Sequence, residues 1–174
     1  MGGVGRHFDE RRHLLGFTER ILVVCAGCGG RAVSSRWPGT EAAGTWAAHE
    51  PRRLACARCA VMGEWDKERD GTRHWGRMWG NAPVDMHFGR PLWLQTRCAG
   101  RVLWALNLAH VEELGAFVGA RLREHGAGGS TTAMLASLPG WMKAAGNRDS
   151  VLKGLERLRA LAEVTAPEGR PSVG

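Results

Sequence analysis

The strongest constraint on this chain is a doubled cysteine pair. Cys25-Ala26-Gly27-Cys28 and Cys56-Ala57-Arg58-Cys59 are two C-x2-C units with 27 residues between them. Such a turn at the end of a strand aims both sulfurs at one ion, and its backbone amides hydrogen-bond the thiolates. Four thiolates around one ion make a closed tetrahedron, the arrangement of a structural zinc with no vacancy for substrate. The interval is longer than the roughly 15–20 residues usual between two such pairs, so an enlarged loop must separate the strands that carry them. Gly29 suits the left-handed conformation such a turn often needs, whereas Ala60 at the matching position suits it less well. An iron–sulfur cluster, or one pair being incidental, are the other readings of the same residues.

The sequence around the cysteines alternates as strands do. Arg20 to Val24 runs into Cys25, Arg31 to Trp37 alternates weakly until Pro38-Gly39, Arg53-Leu54-Ala55 leads into Cys56, and Ala60 to Trp65 is the next strand candidate. Residues 38–52 are rich in Gly, Ala and Pro and read as the enlarged loop. Residues 66–91 are polar and dotted with Gly, and they carry Trp75, Trp79, His74, His87 and Phe88. Then Leu92 to Cys98, Ala99-Gly100 and Arg101 to Asn107 read as a tight hairpin. A two-residue turn puts Leu92, Leu94, Cys98, Leu103 and Ala105 on one face and Trp93, Val102, Trp104 and Leu106 on the other. Both faces are apolar, so cover is expected on both sides.

Three helices are expected after the hairpin. Residues 109–125 carry an apolar stripe of Val111, Leu114, Phe117, Val118 and Leu122, ended by the Gly126 to Gly129 run. Ser130 can cap a second helix with Met134, Leu135, Leu138, Trp141 and Met142, kinked or split by Pro139. Asn147 or Asp149 can cap a third, with Val151, Leu152, Leu155, Leu158 and Leu161 inward and Lys153, Arg157 and Arg159 outward. The fold class is therefore α+β: a zinc ribbon over 20–66, then a loop, hairpin and three-helix region over 67–163. A flexible segment is expected over 1–19 and a disordered tail over 164–174.

Cys-x2-Cys-Gly, a strand pair and Cys-x2-Cys together resemble the transcription-factor-IIB-type zinc ribbon. That resemblance implies metal ligation by Cys25, Cys28, Cys56 and Cys59 and nothing further. Over residues 20–163 the chain also resembles a set of small bacterial proteins with such a ribbon in front. There it rests on Pro91 to Cys98, Leu103 to Asn107, Glu112 to Arg123 and Trp141 to Arg148, and it brings no activity with it. The long loop and the missing second glycine depart from the ribbon pattern.

Composition narrows the function. The chain has 174 residues, of which 44% are hydrophobic and 24% charged, a globular balance. No apolar run approaches the roughly 20 residues of a membrane span. Charges fill the first ten residues where an export signal needs an apolar stretch. Five cysteines in such a chain read as reduced thiols, so a cytoplasmic location is expected. Net charge is +7; four thiolates and one Zn2+ subtract two. Residues 1–60 hold 9 basic and 5 acidic side chains, so the excess lies around the ribbon. Arg31, Arg36, Arg52, Arg53 and Arg58 fall in or beside the cysteine-bearing strands with Trp37 and Trp46, and guanidinium forks with an exposed indole suit phosphate and bases. A GC-rich coding bias would supply the same arginines without any function.

No phosphate-binding Gly-Lys-Ser/Thr loop, His-Glu-x-x-His pair or nucleophile–base arrangement occurs, so no enzyme is expected. Cys98 reads as a small buried hydrophobe, its rival being a redox or auxiliary-ligand role beside His74, His87 or His110. The expectation is a structural-zinc binding module that contacts nucleic acid or a nucleic-acid-associated protein. The alternatives are a protein adaptor using the loop around Trp75, Trp79 and Phe88 and the helices, or a zinc-thiolate redox switch.

Overall fold

The computed structural model describes residues 6–9, 13–39, 49–74, 83–120, 122–125 and 138–170. Its strands are β1 (Arg6–Asp9), β2 (Arg20–Val24), β3 (Arg31–Arg36), β4 (Arg52–Cys56), β5 (Met62–Trp65), β6 (Leu94–Cys98), β7 (Arg101–Ala105) and β8 (Leu122–His125). Its helices are α1 (Lys67–Asp70), α2 (Leu108–Gly119), α3 (Gly140–Lys143) and α4 (Arg148–Glu163). The two long helices, α2 and α4, follow strands β1 to β7, and only β8 comes after α2, so the architecture is α+β.

β2 to β5 form one antiparallel meander in sequence order. Alternation sorts their side chains onto two faces. Ile21, Val23, Ala32, Ser34, Leu54, Cys56 and Trp65 point inward and are buried, while Arg20, Arg31, Val33, Ser35, Arg53, Ala55 and Met62 point to the other face. The 83–91 segment covers part of the inner face: Asp85, Met86 and His87 are buried, and His87 meets the edge of Trp65 at 4.7 Å.

The hairpin β6–β7 turns on Ala99-Gly100, at φ +49° and +72°, with Cys98 opposite Arg101. Two consecutive left-handed residues make the type I′ geometry that matches strand twist. The face with Leu94, Cys98, Leu103 and Ala105 is buried under α4, where a Cβ on Gly154 would meet Leu103 Cδ2 at 2.7 Å. Val151, Leu155, Leu158 and Leu161 are the buried stripe of α4, and Lys153, Arg157 and Arg159 lie outside.

One core runs through ribbon, hairpin and helices. The junction is made by backbone. Leu22 N–H donates to Leu106 O at 2.9 Å, Trp93 N–H to Leu22 O at 2.8 Å, and Val23 bridges Leu92. Asn107 caps α2 by accepting from His110 N–H at 2.9 Å, and its amide donates to Phe17 O and Arg20 O. The hairpin thus continues from the free edge of β2.

One expectation is corrected. The helix expected over 109–125 stops at Gly119: Ala120 is extended, and Leu122 lies in β8, paired in parallel with β1. Gly115 and Gly119 weaken the helix locally, and the strand pairing takes over. Described residues near both ends pack on the fold. Phe17 is buried at the end of a 3-10 turn over Leu14–Phe17. After α4, residues 164–170 run back along the ribbon: Arg31 N–H donates to Thr165 O at 2.9 Å, Gly29 packs beside Pro167, and the Arg170 guanidinium stands over the buried Trp93 ring. The second expected helix is described only as α3, which begins directly after Pro139; Ser130, Met134 and Leu135 lie outside the described residues, as do Trp46, Trp75 and Trp79.

Candidate metal centre

Both cysteine turns sit at the same end of the meander, one joining β2 to β3 and the other β4 to β5. Their backbones match. Cys25 N–H donates to Gly30 O at 2.8 Å and Gly29 N–H to Cys25 O at 3.1 Å; Cys56 N–H donates to Val61 O at 2.9 Å and Ala60 N–H to Cys56 O at 3.1 Å. Each turn needs a left-handed residue to close, and Gly29 (φ +69°) and Ala60 (φ +56°) supply it. The sequence reading marked Ala60 as the poorer fit, yet it takes the glycine conformation.

The four sulfurs converge to within 4.8 Å of one another. Sγ of Cys25 lies 3.5 Å from that of Cys59, and Sγ of Cys28 lies 3.7 Å from that of Cys56. Zn–S bonds of about 2.3 Å in a tetrahedron put sulfurs about 3.8 Å apart, so the donor set and its size fit one such ion. Gly27 N–H donates to Cys25 Sγ at 3.3 Å, the amide contact a thiolate in such a turn needs. A Cβ on Gly27 would reach Val61 at 2.7 Å, so this position has no room for a side chain.

Electrostatics agree with that geometry. Burial opposes charge on Cys25, but the N–H groups of Cys28 and Gly27 and the adjacent sulfurs outweigh it and lower this thiol to about 7. At Cys59 the Val61 N–H favours the thiolate, yet the sulfurs of Cys25, Cys28 and Cys56 oppose further negative charge and push it up to about 12. One thiolate forms readily and resists the others. A dication removes that resistance by displacing the protons, so metal affinity must rise with pH. All four sites of the tetrahedron are protein sulfur, which leaves nothing for a substrate to occupy.

Cys98 stands apart from this cluster. It is buried beneath α4, donates to Ser150 O at 3.3 Å, and burial raises its thiol pKa. It packs as a small hydrophobe.

The arginines divide. Arg52 is fully buried, and it is corrected from a surface residue to a core one. Its Nε donates to Ser34 Oγ at 3.2 Å, and one terminal nitrogen to the carbonyls of Thr18, Glu19 and Ser34 at 2.6, 3.3 and 3.0 Å. Burial lowers its pKa to about 10, with Asp85 opposing the shift, so it remains charged at neutral pH. Arg36 is neutralised by Glu50 at 3.5 Å and Glu19 at 4.0 Å. Arg31 donates to Ala162 O at the end of α4, yet still borders the open sheet face. Arg53 and Arg58 are exposed, and Arg58 lies across Gly30.

The open face of the ribbon sheet forms a groove enclosing about 1090 Å3. Register arranges it in rows. Leu22, Val33, Ala55 and Met62 lie across the four strands as an apolar stripe, flanked by Arg31 on the cysteine side and by Arg20, Ser35 and Arg53 on the other. Met62 is 72% exposed and Trp37, at the groove end, 43%. Arg20 and Met62 were not singled out from the sequence; the period of two, carried across the meander, puts both in phase with Arg53 and Ala55.

No protein-family model matches the chain, and no curated protein or solved structure is significantly similar to it. The four-cysteine cluster on paired hairpin turns is that of a ribbon-like metal centre. No helix among the described residues is long and apolar enough to cross a membrane.

Proposed function

We propose that the chain is a non-catalytic module, stabilised by one structural zinc ion, that contacts nucleic acid or a nucleic-acid-processing complex through the open face of its ribbon sheet. The observation that supports this reading is the row arrangement: an apolar stripe ending in Met62, bounded by Arg20, Arg31 and Arg53, with the exposed Trp37 at its end. Guanidinium groups on either side suit a phosphate backbone, and the stripe and indole suit bases. Arg20, Arg53 and Arg58 make no ion pair among the described residues, so their charge is available to a ligand.

The test is a titration of the zinc-loaded chain with short single- and double-stranded oligonucleotides. If Arg20, Arg31 and Arg53 each neutralise one phosphate, affinity falls roughly 20–40-fold between about 50 and 200 mM salt. Arg20→Glu with Arg53→Glu abolishes binding without unfolding the chain. A flat salt response contradicts the reading. The bare Met62 on the edge strand β5 favours a second reading, an apolar protein partner on the same face, which predicts no nucleic-acid binding even at low salt.

A further inference from the structure

The two cysteine turns have unequal surroundings. Around the second pair, Ala57, Arg58, Cys59 and Ala60 are all exposed. In the first, Cys28 and Gly29 are half-buried and Gly30 is buried. The cover comes from the chain that follows α4. Thr165 O accepts Arg31 N–H at 2.9 Å. A Cβ on Gly30 would stand 2.8 Å from that same carbonyl oxygen, and a Cβ on Gly29 would stand 3.6 Å from Pro167 Cβ. The Arg31 guanidinium adds a bond to Ala162 O in the last turn of α4.

The other end of this segment is anchored away from the cysteines. Pro167–Gly169 makes a 3-10 turn, after which Arg170 reaches the residues that lead into β6. Its Nε donates to Trp93 O at 3.3 Å and one terminal nitrogen to Leu92 O at 3.2 Å, with the guanidinium 5.7 Å from the Trp93 ring centroid. Trp93 is a firm anchor, being fully buried, with its Nε1–H donating to Leu161 O at 3.0 Å. Residues 164–170 are therefore tied down at both ends, and their middle rests on Gly29, Gly30 and Arg31, directly after Cys28. Both turns close through the same pair of backbone bonds, so opening either one breaks that pair. Opening the first turn must also break the contacts with 164–170, and local opening follows the path that breaks least.

We propose that residues 164–170 form a strap that makes the metal centre one-sided: the Cys25–Cys28 turn is held shut, and competing metal ligands and thiol-directed electrophiles reach the centre at Cys59. The inference rests on the zinc reading of the four sulfurs. Thr165 and Arg170 are positioning residues, acting on the ligands through the backbone of Gly29 to Arg31. A closed set of four thiolates offers no vacant position, so attack on the ion begins with the release of one sulfur, and the strap decides which.

The experiment treats the intact zinc-loaded chain with N-ethylmaleimide, stopped at the first label on each chain, and maps the labelled cysteine by mass spectrometry. In the parent the label falls first on Cys59, with little on Cys25 or Cys28. Gly30→Ala pushes the Thr165 carbonyl off the turn, because the exposed Arg58 side chain on its other side moves aside more easily than backbone. Arg170→Ala loosens the strap from its far end and leaves the turn itself unaltered. Each raises the labelling ratio of Cys28 to Cys59 roughly fivefold or more, the scale of one lost hydrogen bond. Val118→Ala weakens the buried core at α2 and leaves the ratio unchanged. The proposal is overturned if Cys28 labels as fast as Cys59 in the parent, if neither strap variant moves the ratio, or if Val118→Ala moves it as far as they do. A chain purified without zinc contradicts the zinc reading and the strap with it, whereas a zinc-loaded chain with an unmoved ratio overturns the strap alone.

Discussion

Gly29 and Ala60 hold equivalent places in the two cysteine turns, at φ +69° and +56°, and each gives its N–H to the carbonyl of the first cysteine of its pair at 3.1 Å. Only one of them is a glycine. An L-residue with a side chain pays about 1–2 kcal/mol in this conformation, against the smaller entropy a glycine loses on folding. Ala60→Gly is therefore expected to stabilise the chain by up to about 1 kcal/mol, and Gly29→Ala to destabilise it by about 1 kcal/mol. Urea midpoints of the metal-loaded variants check this; an Ala60→Gly variant less stable than the parent would refute it.

Arg52 and Arg53 are neighbours in β4 with opposite environments. Arg52→Ala removes four hydrogen bonds and strands the carbonyls of Thr18, Glu19 and Ser34, at a cost of about 2–4 kcal/mol. Arg53→Ala touches only the exposed face and should shift stability by less than about 0.5 kcal/mol. Thermal or urea unfolding of the two single variants distinguishes them. Equal stabilities would mean that Arg52 does not hold the sheet to residues 18 and 19.

His110 gives the fold an acid sensitivity. Burial lowers its folded pKa from 6.5 to about 3, so the folded state holds the neutral ring and the unfolded state takes up the proton. This stability is present in full above about pH 6.5 and is lost as pH falls toward 3, by about 1.4 kcal/mol per unit. The metal thiolates add their own acid sensitivity. The comparison is therefore with His110→Phe, whose stability should fall less steeply between pH 6 and 4, an interval inside the shifted window. Parallel slopes would contradict the assignment.

The ribbon was legible because its signals are local. Two spacings specify the metal ligands, and a period of two specifies the strands that bring them together. Arg52 was misread although the same period places it in phase with the buried Leu54 and Cys56; charge was given more weight than phase. The end of α2 and the packing of residues 164–170 were not legible. The first depends on pairing with β1, more than 110 positions away in sequence. The second rests on backbone carbonyls and on one guanidinium over Trp93, which leave no pattern in a polar, proline-containing stretch. His110 entered the sequence reading only as a possible neighbour of Cys98, since its burial comes from Phe17 and Trp104, which only the fold brings together.

The sulfurs of Cys25, Cys28, Cys56 and Cys59 are placed to close one tetrahedral metal site that ties the two ribbon turns together. Elemental analysis of the purified chain, with X-ray absorption at the zinc edge, tests it most directly. One zinc per chain with four sulfur neighbours at about 2.3 Å is expected, with loss of that zinc and ribbon unfolding in Cys28→Ser. Iron in place of zinc, nitrogen or oxygen in the first coordination sphere, or a metal-free chain with an intact ribbon would contradict it.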